Sequence, residues 1–229
     1  MSGNTVKKQR VLLSWSSGKD AAWSLWTLRQ HNDVEVVGLL TSFNEEFDRA
    51  AMHAVRRELV QAQAEAVGLP LISADLPWPC SNEQYEAAMQ KALDDARSQL
   101  GITAVAFGDL FLEDVRHYRE DKKSGTGLGL LFPLWGIPTD QLAQQMIVGG
   151  LKAYLTCVDP QKLPGAFAGR AFDDKLLEDL PAGIDPCGEN GEFHSFAYAG
   201  PMFSRPLRVE VGEVVERDGF VFADVLSKM

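Results

Sequence analysis

The stretch LLSWSSGKDAAW, residues 12–23, places a glycine and a lysine side by side between an apolar run and a helix-forming run. A Gly-Lys pair at a strand-to-helix turn suggests phosphate binding, and the familiar P-loop needs the pattern G-x-x-x-x-G-K-[ST]. Here the first glycine would stand at Leu13 and the hydroxyl residue at Asp20, so both requirements fail. A phosphate site at this turn therefore needs another design.

The loop nevertheless has the groups that bind an anion. A turn from a buried strand into a helix presents unpaired backbone N–H groups at the positive end of the helix dipole. Gly18 lets the backbone approach an oxyanion, and Ser16 and Ser17 add hydroxyl donors. Lys19 could neutralise a phosphate, whereas Asp20 could hold Mg²⁺ or brace the loop. The plain alternative is the capped start of a helix without any ligand.

The composition indicates an acidic protein with a sizeable core. The chain has 229 residues, 45% of them hydrophobic, with a net charge of −10 and a pI near 4.9. This acidity argues against nucleic-acid binding, but a helix N-terminus and Mg²⁺ can still supply the field that ATP needs. The three cysteines form no CxxC pair, and no signal peptide or membrane-spanning run is recognisable. We expect a cytoplasmic protein that binds neither nucleic acid nor membrane.

Strand and helix signals alternate along the first half of the chain. Short apolar runs predict strands, and longer runs with helical spacing predict helices between them. The strands are expected at residues 11–14, 34–42, 70–74 and 102–107, and the helices at residues 20–30, 51–67 and 82–100, the last capped by Ser81 or Asn82. Repeated units of this kind predict an α/β fold with a parallel sheet and helices on both faces.

Ligands of open parallel sheets bind beyond the carboxyl ends of the strands. Residues 16–20, 41–44 and 108–109 each follow a predicted strand. We therefore expect these three segments to line one crevice.

The chain beyond Pro138 has a different pattern. Thr139 can cap a helix that ends at Val148, and a strand is expected at residues 151–158. After a proline-rich loop region, residues 209–225 predict a hairpin that turns at an Asp-Gly pair. We place a soft domain boundary near Pro138, which divides the chain into residues 1–137 and 138–229.

A second polar motif is DPCGENGEFHSF, residues 185–196, in which two glycines and an asparagine predict a tight turn. Glu189, Asn190, Glu192 and His194 bring acid, base and amide groups together, and such a cluster can transfer protons or hold a cation. The spacing fits neither a zinc site nor an EF-hand. The plain alternative is an ordinary polar turn.

Four further charged residues are candidates for anion binding. His53 and Arg56 lie one turn apart on the predicted helix 51–67, and Arg116 and Arg119 share a helical face close to residues 108–109. Either pair could reach a phosphate or a carboxylate. The alternatives are a solvated helix face for the first pair and a surface ion pair with nearby acids for the second.

The segment SSGKDA, residues 16–21, resembles the S-G-G-x-D-S pyrophosphate loop of the PP-loop ATP pyrophosphatases, also called adenine nucleotide α-hydrolases. Two residues depart from that pattern. Ser17 replaces a glycine, which is a mild change if its φ angle is negative. Ala21 replaces the final serine and removes one hydroxyl donor.

Several longer stretches resemble the diphthine–ammonia ligase family, an ATP-binding branch of these pyrophosphatases. They are DPCGENGEFHSF followed by YAGPMF, MHAVRREL at residues 52–59, GDLFLEDVRHYRE at residues 108–120, LFPLWG at residues 131–136 and FAGRAFD at residues 167–173. The similarity extends from the first strand almost to the C-terminal hairpin. The LEDVRHYRE form is more similar to the bacterial branch than to the archaeal or eukaryotic branch.

The resemblance implies a parallel sheet of the HUP, PP-loop adenine nucleotide alpha hydrolase type, here residues 1–137, which bind ATP. It implies a smaller mixed α+β C-terminal domain, residues 138–229, which binds the substrate. The expected activity is an ATP-dependent amide ligase acting through an acyl adenylate, and the alternative is a non-catalytic adenine-nucleotide sensor. The expected partners are a small-molecule or protein-borne carboxylate and ammonia. A homodimer is compatible with the sequence.

The resemblance also assigns residues, with the adenine ring against the backbone of residues 40–43. The catalytic candidates are Lys19, Glu189, Asn190, Glu192 and His194. The ATP-binding candidates are Ser14, Ser16, Ser17, Gly18, Lys19, Asp20, Leu40, Thr41, Ser42, His53, Arg56, Gly108, Asp109, Arg116 and Arg119. The candidates for supporting Mg²⁺ are Asp20 and Asp109.

Overall fold

The fold is taken from a computed structural model of the chain, which describes residues 8–50, 54–123 and 126–228. Within this part of the chain, the first sheet has six strands. They are β1 (Gln9–Ser14), β2 (Val34–Asn44), β3 (Arg49–Ala50), β4 (Leu71–Leu76), β5 (Ala104–Ala106) and β6 (Gly129–Leu131). All neighbouring pairs are parallel except β2 with the short β3. The predicted α/β fold with a parallel sheet is therefore confirmed.

The order of the parallel strands is β4–β2–β1–β5–β6. The chain moves outward from β1 in one direction through β2 and β4, and then in the other direction through β5 and β6. The order therefore reverses between β1 and β5, which is the place where open α/β sheets bind ligands.

The helices of this half are α1 (Lys19–Arg29), α2 (Arg57–Val67), α3 (Asn82–Leu100) and α4 (Glu113–Lys123). The predicted cap of α3 is confirmed, since the Ser81 hydroxyl accepts a hydrogen bond from the Gln84 N–H and the Gln84 side chain accepts one from the Ser81 N–H. This reciprocal pair satisfies two N–H groups that the first turn of a helix leaves unpaired.

The prediction of a helix from residue 51 was wrong for residues 54–56, which precede the first residue of α2. Ala54 has a φ of +54°, outside the helical region. The Ala50 N–H donates to the Val55 carbonyl, and Arg49 forms a bridge with Arg56. Val55 is buried in this tight turn of the chain. Its spacing to the apolar residues of α2 matches a helical period, and for that reason the sequence predicted one more turn of helix.

The second half has the helices α5 (Thr139–Val148) and α6 (Asp174–Asp179), a 3₁₀ turn (Gly165–Phe167) and a second sheet. Its strands are β7 (Lys152–Val158), β8 (Phe193–Ala199), β9 (Val209–Arg217) and β10 (Phe220–Ser227). They are antiparallel in the order β8–β7–β10–β9. The predicted hairpin is confirmed, with Asp218 and Gly219 at φ angles of +53° and +82° in its turn.

Two details of this half differ from the prediction. Thr139 is the first residue of α5 and does not cap it, because its hydroxyl donates instead to the carboxylate of Asp185 at 2.5 Å. The segment DPCGENGEFHSF is a turn only in its first part, since β8 begins at Phe193 and includes His194. The Thr139–Asp185 hydrogen bond attaches the 185–196 segment to α5, and the pairing of β8 attaches it to β7.

One hydrophobic core includes residues of both sheets. Leu13 of β1 and Leu25 of α1 belong to the same buried cluster as Leu155 of β7 and Phe196 of β8. The division into residues 1–137 and 138–229 stays a prediction about the organisation of the chain. Among the described residues, none of the helices combines the length and the apolar character needed to cross a membrane.

Candidate active site

A cavity of about 420 Å³ lies at the carboxyl ends of β1, β2 and β5. Its size is in the range of small-molecule sites. The first half of the chain contributes Ser14, Trp15, Ser16, Lys19, Asp20, Ala21, Leu40, Thr41, Ser42, Ala50, Tyr85, Met89, Phe107, Gly108, Asp109 and Arg119. The second half contributes Cys187, Gly188, Glu189, Gly191, Phe193, His194 and Ser195. The structure thus brings the two sequence motifs to one site.

The loop between β1 and α1 is held from below by a buried glutamine. The side-chain amide of Gln63 donates to the carbonyls of Ser17 and Ala197 at 3.0 and 2.6 Å, and its oxygen accepts the indole N–H of Trp15 at 2.8 Å. Ser17 has a φ of +71°, so the condition under which its replacement of glycine would be mild is not met. The hydroxyl of Ser17 is buried without a hydrogen-bond partner.

The same loop is docked on β8 of the second sheet. The Ala197 N–H donates to the Ser17 carbonyl at 2.9 Å, and the Lys19 N–H donates to the Ser195 hydroxyl at 3.2 Å. Among the described residues, the N–H groups of Ser16, Ser17, Asp20 and Ala21 have no hydrogen-bond partner. The donors of Ser16, Asp20 and Ala21 lie in the cavity lining and fit a phosphate group, whereas Ser17 and Gly18 lie outside that lining.

Gly108 lies against this opening of the helix. A Cβ atom at Gly108 would come within 3.1 Å of the Asp20 carbonyl carbon, 3.2 Å of the Ala21 nitrogen and 3.2 Å of the Ser24 hydroxyl oxygen. Two of these contacts are to backbone, which cannot rotate away. A glycine is therefore required for the loop after β5 to reach the edge of the loop between β1 and α1.

The ammonium of Lys19 lies inside the protein, with 2% of the residue exposed. It donates to both oxygens of the Asp20 carboxylate, at 2.8 and 3.0 Å, and also to the carbonyl of Cys187. It lies over the rings of Phe172 and Phe193. Burial alone would lower the pKa of Lys19, but the attraction of Asp20, Cys187 and Glu189 together outweighs it and raises the pKa above its ordinary value. Lys19 therefore ties α1 to the 185–196 segment and gives the cavity wall a fixed positive charge.

The carboxylates predicted to support a metal are Asp20 and Asp109. Each faces the cavity and is already bound to a cation, Asp20 to Lys19 and Asp109 to Arg119 at 3.2 Å. In the part of the chain that the structure describes, no group of three or more His, Cys, Asp or Glu residues is arranged to hold a metal ion. This set does not form a metal site of its own, but it fits Mg²⁺ that arrives with phosphate oxygens, because such ions need only one or two protein carboxylates.

The edge of β2 leaves two residues open toward the cavity. Leu40 pairs with Ser14 of β1 on one side and with β4 on the other, and Phe43 pairs with Ala50 of β3 and with β4. β4 pairs with one edge of β2 along this whole stretch. On the other edge of β2, the pairing with β1 ends at Leu40 and the pairing with β3 begins at Phe43, so Thr41 and Ser42 have no strand beside them there. Their backbone groups fit the hydrogen-bonding edge of a flat heterocycle such as adenine.

Glu189 contributes a carboxyl group to the opposite wall. Its oxygen accepts the Leu110 N–H at 2.8 Å, and the side chain is half-buried. Burial raises the pKa of Glu189 to about 7, and the nearby Asp20 and Asp109 carboxylates act in the same direction, while the Leu110 N–H and Lys19 oppose them. A carboxyl group with this pKa can exchange a proton near neutral pH.

The other predicted residues of the 185–196 segment have different surroundings. The carboxylate of Glu192 is buried, accepts the Asp185 N–H at 3.1 Å and the Asn190 side-chain N–H at 3.2 Å, and lies outside the cavity lining. Asn190 also lies outside the lining and is exposed. His194 lines the cavity. The structure therefore brings Glu189 and His194 to the cavity, and Glu192 and Asn190 stabilise the turn that carries Glu189.

Three of the candidate cations are not among the described residues that line the cavity. Arg56 forms an ion pair with Asp224 of β10 at 2.5 Å, and Arg116 forms one with Glu120 at 2.9 Å, and neither arginine is part of the cavity lining. The surface-pair alternative fits Arg116. His53 lies outside the described residues.

Sequence reasoning missed two residues that hold the loop between β1 and α1, Gln63 and Ser195. Gln63 had a signal, because it lies four residues after Leu59 and three before Ala66 and so falls on the buried face of α2. A fully buried glutamine on an apolar face requires partners for its amide. Ser195 had no local signal, since its role depends on the pairing of β8 with the rest of the second sheet.

The fold and the cavity define the class of the protein, a nucleotide-binding α/β protein of the HUP, PP-loop type. The family model of the diphthamide synthase N-terminal domain matches residues 9–128, and that of the diphthamide synthase C-terminal domain matches residues 138–224. The chain belongs to the diphthamide synthase family.

Curated relatives agree with this membership. The chain is 24% identical to the diphthine–ammonia ligase of Bos taurus over 94% of its own length and 88% of the relative. It is 25% identical to that of Danio rerio over 94% and 92% of the two chains, and 26% identical to that of Schizosaccharomyces pombe over 90% and 37%. The chain is an enzyme, an ATP-dependent ligase.

Proposed function

We propose that this protein joins ammonia to a carboxylic acid through an acyl adenylate. In the first step, a carboxylate oxygen of the acid attacks the α-phosphorus of ATP, a new P–O bond forms, and pyrophosphate leaves. In the second step, ammonia attacks the acyl carbon, the bond to AMP breaks with its electron pair on the AMP oxygen, and one proton passes to a base. The relatives named diphthine–ammonia ligase support this reaction class, and their name makes diphthine one candidate acid.

One observation carries the proposal, namely that a carboxyl group with a pKa of about 7 shares a cavity with an anion-binding loop. Glu189 and the unpaired N–H groups at the opening of α1 line or border the same space. A nucleotide sensor needs the loop but has no use for a proton acceptor facing it. Amide formation needs both, because pyrophosphate must leave and the attacking ammonia must lose a proton.

The roles follow from the surroundings of each group. The N–H groups of residues 16, 20 and 21 would bind departing pyrophosphate, and the buried charge of Lys19 would stabilise it at short range. The open edge at Thr41 and Ser42 would bind adenine, and Glu189 would take the proton from ammonia. Mg²⁺, with Asp20 or Asp109 as support, would supply neutralisation of phosphate charge.

The test is the release of AMP and pyrophosphate from ATP in the presence of ammonium and a panel of carboxylic acids. We expect both products to form in equal amounts, and only when an acid is present. Release of ADP, or nucleotide binding without turnover for every acid, would instead favour the sensor. A homodimer, a cytoplasmic location, a protein-borne acid and membership of the bacterial branch stay predictions.

A further inference from the structure

The turn that carries Glu189 is held together by the carboxylate of Asp185, a half-buried residue outside the described lining of the active-site cavity. One oxygen of this carboxylate accepts the N–H groups of Cys187 at 2.9 Å and of Glu189 at 3.1 Å. The other oxygen accepts the hydroxyl of Thr139 at 2.5 Å. An ionised carboxylate only accepts hydrogen bonds, so its two oxygens suit three converging donors.

The backbone of Asp185 takes part in the same turn. Its N–H donates to the Glu192 carboxylate at 3.1 Å, and its carbonyl accepts the Gly188 N–H at 2.9 Å. Gly188 has a φ of +73°, and a Cβ atom there would come within 2.8 Å of the Phe193 carbonyl oxygen. The path of the chain from Asp185 to Glu189 is therefore tightly constrained.

The two N–H groups that Asp185 accepts belong to the residues through which the turn acts on the cavity. The Cys187 carbonyl accepts the Lys19 ammonium. The Glu189 carboxyl group lines the cavity and accepts the Leu110 N–H at 2.8 Å. Without the Asp185 carboxylate, both N–H groups would lose this acceptor, and the Glu189 side chain would no longer be held beside Leu110.

The bond to Thr139 attaches the turn to a rigid element. Thr139 is the first residue of α5, and Leu142 and Met146 of this helix belong to the hydrophobic core that includes both sheets. Asp185 thus connects Glu189 to a packed helix. Hydrogen bonds of this supporting kind keep a reacting group in its productive geometry.

We propose that Asp185 is the positioning residue of Glu189 and acts on the reaction by fixing the Glu189 carboxyl group beside Leu110, where it faces the cavity. Asp185 itself has no contact with substrate in this proposal, because its oxygens already accept three donors of the protein. The role of Glu189 as proton acceptor rests on the proposed ligase function, whereas the role of Asp185 rests on the hydrogen bonds of the turn.

Amide hydrogen exchange at Leu110, followed by NMR on the full chain, measures the position of Glu189 without any turnover. The Leu110 N–H donates to the Glu189 carboxyl group, so displacement of Glu189 leaves this N–H open to exchange. We expect Asp185→Ala to accelerate the exchange about tenfold, toward the rate in Glu189→Ala, in which the acceptor is absent.

Asp185→Asn is the conservative variant and should restore the wild-type exchange rate. Its amide oxygen can accept the N–H groups of Cys187 and Glu189, and its NH₂ group can donate to the hydroxyl oxygen of Thr139. If Asp185→Asn is as impaired as Asp185→Ala, the negative charge matters rather than the hydrogen-bonded position, and the proposal is wrong.

The matched control is Asp173→Ala in the same half of the chain. The carboxylate of Asp173 accepts the Leu176 N–H at 2.8 Å at the start of α6, and Asp173 lies outside the described cavity lining. This variant removes a comparable carboxylate–backbone bond, so it should lower stability without changing the exchange at Leu110. Equal acceleration in Asp173→Ala and Asp185→Ala would mean a general loss of stability and would overturn the proposal.

The release of pyrophosphate from ATP with ammonium and an accepted acid measures the consequence for the reaction. Asp185→Ala should lower kcat about thirtyfold, because a small displacement of a reacting group can cost up to about a hundredfold. Nucleotide affinity should change little, since Lys19 keeps its bonds to Asp20. When Glu189→Gln is already present, Asp185→Ala should lower kcat hardly further, because both changes remove the same group from its position.

The two proposals fail in different ways. If Asp185→Ala accelerates the exchange at Leu110 but no acid causes pyrophosphate release even in wild type, Asp185 positions Glu189 and the ligase mechanism fails. If acids cause pyrophosphate release in wild type and Asp185→Ala leaves the exchange or kcat unchanged, the ligase mechanism stands and the positioning role of Asp185 is wrong.

Discussion

Ser17 adopts a left-handed backbone conformation that is unfavourable for a residue with a Cβ atom. Its φ is +71°, and its hydroxyl is buried without a hydrogen bond, so two costs coincide at one residue. We expect Ser17→Gly to stabilise the fold by about 1 kcal/mol, because glycine relieves the backbone strain and removes the unpaired hydroxyl. Chemical denaturation at constant m-value measures this change.

Ser17→Ala separates the two costs, since alanine removes the hydroxyl but keeps the Cβ atom. It should recover only part of the gain of Ser17→Gly. A Ser17→Gly protein that is less stable than wild type would mean that the loop does not hold this conformation in solution.

Glu189 gives the reaction a predictable pH dependence. With a pKa of about 7, its carboxyl group becomes a proton acceptor only as the pH rises toward neutrality. Wild-type turnover should therefore rise through pH 7, whereas Glu189→Gln should lose that rise and about a hundredfold of the rate. The ratio of the two pH profiles is the informative quantity, because the ionisation of ammonium is common to both and cancels.

The stability of the fold provides an independent measure of the same pKa. The folded protein keeps the Glu189 proton up to about pH 7, whereas the unfolded chain loses it near the ordinary glutamic acid value. The native state thus binds more protons in between, so this residue's contribution to stability falls as the pH rises from about 4.5 to 7. Glu189→Gln should become more stable relative to wild type over that window, by about 1 kcal/mol after allowance for solvent exposure. A difference that is constant with pH would contradict the raised pKa.

At the scale of elements, α2 supports the loop between β1 and α1 through Gln63. This one side chain makes three buried hydrogen bonds, to Trp15, Ser17 and Ala197. Gln63→Leu preserves the approximate volume but leaves the buried indole N–H of Trp15 unpaired and removes one bond each from the Ser17 and Ala197 carbonyls, so we expect a loss of about 3 kcal/mol in stability. Nucleotide affinity should fall at least about tenfold, because the carbonyl of Ser17 is no longer held.

The matched control for this prediction is Gln61→Leu on the same helix, where the glutamine is exposed. Denaturation and nucleotide titration should both be near wild type for that variant. If Gln63→Leu retains full nucleotide affinity, α2 supports the fold but not the loop.

Elements with a local pattern were predictable from the sequence, and elements formed by tertiary pairing were not. β1, α1 and α3 lie within two residues of their expected bounds, because each has its own apolar period and, for α3, its own cap. The polar His194 and Ser195 of β8 indicated a turn, and the segment becomes a strand only through its pairing with β7. The first turn predicted for α2 failed for the same reason, since Val55 is fixed by its bond to Ala50.

The residues of the candidate site also divide into those with a local sequence signal and those whose position depends on tertiary pairing. The motif of residues 16–20 and the acid of Glu189 could be found in the sequence because their chemistry is local. The contribution of Ser195 could not, because it lies 176 residues from the Lys19 N–H that it binds. Arg56 was assigned to the site through the family resemblance, since helical spacing alone also fitted a solvated face, and the structure pairs it with Asp224 on the last strand.

At the scale of the whole molecule, the loop between β1 and α1 is held by both halves of the chain. Its backbone is bonded to Ser195 and Ala197 of the second sheet, and the Lys19 ammonium is bonded to the Cys187 carbonyl. The hydrophobic core also includes residues of both sheets. A protein built in this way cannot open the junction between its sheets without disturbing the loop between β1 and α1, to which we assign ATP binding. Nucleotide affinity and global stability should therefore be linked.

This linkage predicts how the full chain unfolds. Because the larger buried cluster includes residues of both sheets and only a smaller one belongs to the first sheet alone, tryptophan fluorescence and far-ultraviolet circular dichroism should report one coincident transition. A non-hydrolysable ATP analogue at about a hundredfold excess over its Kd should stabilise that transition by about 2.7 kcal/mol, with no new step appearing. Two transitions, of which the nucleotide shifts only one, would show that residues 1–137 bind nucleotide without help from the second sheet. In that case the bonds from Ser195 and Ala197 would not support the loop.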